Sequence, residues 1–179
     1  GDTLAQVREA IGYTPWYFNL PEKDIFDEAW QQINDPEGFD APFGLTTAER
    51  RHPQFRAFFK ASCEWNGPVW PFATSQTLTA LANYLEQARE GAAIPADSWF
   101  AHFKTYAQSH YFHGRPYIGE YLDEVTGYWL KGEQERSRYY NHSTFNDLVI
   151  TGLVGLRLQT GNRITINPLV PANEWDYFC

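Results

Sequence analysis

The stretch Cys63-Glu64-Trp65-Asn66-Gly67-Pro68-Val69-Trp70-Pro71-Phe72 leaves its backbone little freedom, and the rest of the chain has to fit around it. Asn66-Gly67 tolerates a left-handed backbone and permits a tight reversal. Pro68 and Pro71 fix their own φ and push each preceding residue toward an extended conformation. Directly afterwards Leu78, Leu81, Ala82 and Leu85 recur at helical spacing. The sequence therefore predicts a stiff aromatic loop feeding a long helix from about Val69 to Ala88. Trp65 and Trp70 beside Glu64 and Asn66 suit a sugar ring, whose C–H face stacks on an indole and whose hydroxyls need polar partners. Equally, the two indoles could be core rings that staple a helix start.

A chain of 179 residues is long enough for one domain with a sizeable core. Its net charge of −8 argues against a nucleic-acid partner, because phosphate recognition needs clustered Lys and Arg, and Arg50-Arg51 is the nearest thing to a cluster. No run reaches the length of a membrane span, and Gly1-Asp2-Thr3 does not resemble a signal peptide. The first residues read as the middle of a longer chain. The compartment stays open, with a secreted or periplasmic setting favoured. Cys63 and Cys179 make neither a disulfide framework nor a metal-spaced cluster, and the five His are scattered, so no metal or other cofactor is expected. Aromatic residues make up 17% of the chain, with 7 Trp, more than packing a small helical domain requires.

In chain order, Thr3 to Ile11 is predicted as a short amphipathic helix with Leu4, Val7 and Ile11 on one stripe, ended by Gly12. An aromatic run, Tyr13 to Pro21, leads to a second helix through about Ile33, with Ile25, Phe26, Ala29, Trp30 and Ile33 inward. Gly38 to Thr47 reads as a long ordered loop of the kind that is usually functional. After the Val69–Ala88 helix, Asp97 or Ser98 caps a third, with Trp99, Phe103, Tyr106 and His110 on one face, ending near Phe112. Residues 117–143 form a second aromatic loop. A last helix covers about Thr144 to Leu156, and Arg163 to Pro171 alternates like a short strand. Long and short connections alternate, as they do when helical hairpins stand in a ring with site-building loops on one face.

Trp65-Asn66-Gly67-Pro68-Val69-Trp70 resembles the W-x-G-P-x-W signature of six-hairpin glycosidases of family 63 and the mannosylglycerate hydrolase-like group. Gly119-Glu120-Tyr121, followed by Thr126-Gly127, resembles the loop that carries the catalytic base in those enzymes. Asn141-His142-Ser143, which also reads as an N-glycosylation triplet, falls where they have a Ser-Trp-Ser-like string. The resemblance implies an all-α fold: the C-terminal portion of an (α/α)6 toroid with long aromatic loops and a short C-terminal β segment, residues 1–179 forming one partial domain. It also implies an inverting glycoside hydrolase acting on a terminal α-glucoside or α-mannoside type of sugar. There a carboxylic acid protonates the departing oxygen while a carboxylate takes a proton from water on the opposite face.

Glu120 is the candidate base on the strength of that motif. The candidate sugar contacts are Trp16, Phe18, Glu64, Trp65, Asn66, Gly67, Trp70, Tyr121 and His142. No Asp of this chain sits in a loop like the one that supplies the family's general acid, and the five helices read here fall short of the twelve in a full toroid. The expectation is therefore a segment whose acid lies upstream, which by itself is inactive, and which associates with the missing part of its domain or with itself. A non-catalytic carbohydrate-binding helical module is the alternative, and a purely structural helical domain a distant third.

Overall fold

The computed structural model describes residues 3–57, 64–140 and 144–177. Its centre is helix α2 (Pro71–Ala88), preceded by the four-residue helix α1 (Thr14–Tyr17) and followed by α3 (Ala96–Gln108). Pro71 sits at the first helical position, where a missing N–H costs nothing. Leu78, Ala80, Leu81, Ala82, Tyr84 and Leu85 are all buried, so α2 is covered on more than one face. Helix α3 lays Trp99, Phe103 and Tyr106 against it, and the Trp99 indole N–H donates to the Leu78 carbonyl at 2.9 Å. Tyr106 and Ser75 hydroxyls meet at 2.9 Å across the same seam.

The N-terminal third departs from the expected pair of helices. Residues 3–9 form no helix, and Leu4 and Ile11 stand exposed. The backbone there is committed elsewhere: Glu9 bridges Ala48, the Ala10 N–H reaches the Thr47 carbonyl (2.9 Å) and the Glu49 N–H the Arg8 carbonyl (3.0 Å). What remains is one 3-10 turn, Ala10–Tyr13, running into α1. The second expected helix shrinks to a 3-10 segment, Asp27–Asn34, with Ile25 and Phe26 exposed. Asp24 holds φ at 68°, a left-handed backbone that ends any helix begun at Pro21.

The all-α expectation needs correction too, because the fold is mixed helical with two small antiparallel hairpins. One pairs β1 (Tyr111–Phe112) with β2 (Arg115–Pro116). The other pairs β3 (Leu156–Gln159) with β4 (Arg163–Ile166), so the alternating C-terminal stretch has a partner strand. Helix α4 (Phe145–Leu148) continues as a wider π turn, Val149–Leu153, and stops there. Gly152 lies against Trp99, where a Cβ would come within 2.2 Å of the ring.

Candidate functional site

The tryptophan string is held in place by its neighbours in space. The Trp70 indole N–H donates to the Glu64 carbonyl at 2.7 Å, closing the loop on itself. The Gly67 N–H donates to the Thr47 hydroxyl at 3.0 Å, and the Arg56 N–H to the Asn66 carbonyl at 3.0 Å. Gly67 is required for clearance, since a Cβ would lie 2.5 Å from Arg56 Cγ. Val69 then pairs on two sides, bridging Thr46 and Leu122. Its exchange with Leu122 is reciprocal, at 3.0 and 2.9 Å.

That pairing brings the second motif alongside the first. Tyr121 stacks on Trp70 with centroids 4.7 Å apart, and Trp65 stacks on Trp70 at 3.8 Å. Only Trp65 offers a face to solvent: it is 44% exposed, while Trp70 and Tyr121 are 1% and 0%. Trp70 and Tyr121 therefore stand buried behind Trp65, and neither offers a ring face to solvent. A cavity of about 370 Å³ opens beside Trp65, walled also by Phe72, Ile11, Thr47, Glu9 and Gln76. Phe72 meets Trp65 edge to face at 6.3 Å.

Glu120 precedes Tyr121 and is nearly buried. Its N–H donates to the Ser137 hydroxyl at 3.2 Å, and its Oε2 lies 3.8 Å from Arg136 Nη2. Gly119 allows this approach, because a Cβ there would meet the Trp129 and Tyr117 rings at 2.7 Å. Glu120 is not among the residues lining the Trp65 cavity. The carboxylates that follow it are structural. Arg56 holds Asp123 and Glu124 together, 2.6 Å from each. Burial would raise the Asp123 carboxyl, but the Arg56 and Thr126 hydrogen bonds outweigh it and hold it at about 2. Glu64 is also buried; burial pushes its carboxyl up against the opposing pull of Lys131 and Arg56. Its Oε2 has no hydrogen-bond partner among the described residues, and neither has Asn66 Nδ2.

Trp16 belongs to a different place. It packs into the core with Tyr13 and Trp30, at 6.3 and 5.3 Å, and is 9% exposed. Phe18 is exposed, but its turn is tied to the far part of α2, where Asn83 Nδ2 donates to the Tyr17 carbonyl at 3.0 Å. Phe72 and Asn83 stand eleven positions, about 16 Å, apart along the helix, so these two rings do not join the Trp65 group. His142 lies outside the described residues. Reading the sequence missed Phe72, Ser137 and Arg136; Phe72 alone carried a signal, its place just after the second Trp. Among the described residues no group of His, Cys, Asp and Glu is placed to hold a metal ion, and no helix is long and apolar enough to cross a membrane.

Comparison with known proteins adds to this geometry. Residues 1–143 match the family described as the mannosylglycerate hydrolase MGH1-like glycoside hydrolase domain. A solved structure described as "Sialidase" is similar at 60% identity with a TM-score of 0.92. The alignment covers 98% of this chain but only 16% of that one. No curated protein gives a match.

Proposed function

The chain belongs to the mannosylglycerate hydrolase-like glycoside hydrolase family, and we propose that it supplies the general base and one aromatic wall to the pocket of an inverting glycosidase. Glu120 takes the proton from the attacking water, and Trp65, in a cavity that Glu120 does not line, carries the apolar face of an adjoining sugar unit. The general acid comes from residues outside this chain, in a fuller (α/α)6 toroid of which residues 1–179 are one partial domain. The pairing of Val69 with Leu122 carries this reading, because it sets the tryptophan string beside the Glu120 loop. The 16% coverage of a much longer similar protein fits a segment of a larger catalytic unit. The substrate is a terminal α-glucoside or α-mannoside type of sugar, and the partner is the remainder of the same domain or a second copy.

The test is Glu120→Gln in the full-length protein. Loss of a general base should lower kcat by about 100- to 10,000-fold with sugar binding retained. Proton NMR of the fresh product should show the anomer opposite to that of the substrate. Turnover near wild type would reject Glu120, and retained anomeric configuration would reject inversion. If no glycoside is turned over by the wild type while sugars still bind, the chain is a carbohydrate-binding module instead.

A further inference from the structure

We infer that Ser137 and Tyr117 are positioning residues for Glu120: they hold the backbone from which its carboxylate reaches the attacking water. The inference rests on the reading of Glu120 as the general base and deepens it by naming what aims that base. A glutamate reaches its target through several side-chain torsions, so its aim depends on how firmly each end is held. At the carboxylate the hold is loose. Arg136 Nη2 stands 3.8 Å from Oε2, beyond hydrogen-bond range, on a side chain 53% exposed, and an ion pair of that kind fixes little.

At the backbone the hold is firm. The Glu120 N–H donates to Ser137 Oγ at 3.2 Å across 17 positions of chain, and Ser137 is 1% exposed, so water does not compete for the bond. Ser137 is itself set by the 3-10 turn Glu135–Ser137, its N–H donating to the Gln134 carbonyl at 2.9 Å. Tyr117 closes the brace. Its phenol interacts with the Ser137 hydroxyl and donates to the Gly132 carbonyl at 3.2 Å. The Tyr117 and Trp129 rings also press on Gly119, the residue before Glu120, each leaving only 2.7 Å for a Cβ. On the other side the Val69–Leu122 bridge and the Tyr121 stack already fix the loop, so the Ser137 bond adds a fixed point at Glu120 itself. A base that must meet one water within a fraction of an ångström needs such a point, because a displacement of about 1 Å can cost about a hundredfold in rate.

In the full-length protein, Ser137→Ala should lower kcat by about 10- to 100-fold while KM stays within about threefold. Ser137→Thr, which keeps the hydroxyl, should recover most of that loss. Tyr117→Phe, which keeps the ring, should lower kcat by about three- to tenfold. A double-mutant cycle separates aiming from plain support. On a Glu120→Ala background, azide attacks the anomeric carbon of the glycosyl fluoride and fluoride leaves, with no proton for a base to take. Adding Ser137→Ala there should change the rate by less than about twofold. Wild-type kcat in both Ser137→Ala and Tyr117→Phe, a loss carried by KM, or an equal loss with and without the Glu120 carboxylate would each overturn the inference. If Glu120→Gln abolishes turnover and Ser137→Ala leaves it intact, the brace is wrong and the base stands. If Glu120→Gln turns over normally, the base is wrong and the brace falls with it.

Discussion

Trp65 lies flat on Trp70, with ring centroids 3.8 Å apart and planes 17° from parallel, yet one indole is 44% exposed and the other 1%. Two residues of one motif therefore differ in setting: the inner ring supports the outer, and of the two only the outer presents a face to solvent.

Substitution should separate these roles. Trp70→Ala removes a buried indole and is expected to cost about 3–5 kcal/mol of stability. Trp65→Ala forfeits one stacking contact, about 1 kcal/mol, but should abolish hexose binding. Thermal unfolding and a sugar titration on each variant check both halves.

Arg56 bridges Asp123 and Glu124, so Arg56→Met should take the cation from buried Glu124 and one partner from half-buried Asp123, at a cost of about 3 kcal/mol. The pH dependence follows from Asp123, which titrates at about 2 when folded against an ordinary 3.8. A depressed carboxyl contributes stability above its unfolded pKa, here on the order of 2 kcal/mol, and loses it as pH falls from about 4 toward 2. Wild-type stability should fall across that window, and the Arg56→Met curve should be flatter there. An equal slope in both proteins would show that Arg56 does not hold Asp123 down.

Gly127 and Gly114 share a left-handed backbone, with φ of 71° and 73°. A Cβ at Gly127 would lie 2.3 Å from the Phe43 ring, while at Gly114 nothing stands within 4 Å. Alanine at Gly114 should cost only the backbone strain, about 1–2 kcal/mol. Alanine at Gly127 should cost more and should also disturb the Glu120 loop. Chemical denaturation of the two variants isolates the packing contribution of Phe43.

The isolated chain is expected to show no glycoside turnover above a Glu120→Gln control, since the proposed acid is elsewhere. Its exposed Leu4, Ile11 and Phe72 should also drive self-association, visible by sedimentation. Turnover by the isolated chain would remove the need for a second segment.

Much of this is legible in the sequence. The α2 helix was readable because Pro71 and the Leu78, Leu81, Leu85 spacing are local signals, and the inward face of α3 followed from Trp99, Phe103 and Tyr106 in the same way. The failures share one cause. Leu4, Val7 and Ile11 make a helical stripe, but the backbone of residues 8–10 is claimed by residues 47–49, a pairing no short window reveals. Likewise Trp16 and Trp65 are the same residue type in similar aromatic company. Only the tertiary fold tells that Trp30 and Tyr13 close over the first while the second stays open. The Val69–Leu122 pair, which joins the two motifs, is equally non-local.

The two-sided pairing of Val69, with Thr46 along one edge and Leu122 along the other, bears on how such a pocket can diversify. A residue inserted beside any of the three bridging positions would break a single bridge that no continuous strand backs up. Descendants of this architecture are thus free to change preference by swapping side chains at the rim, but not by lengthening the segments that meet at that single valine.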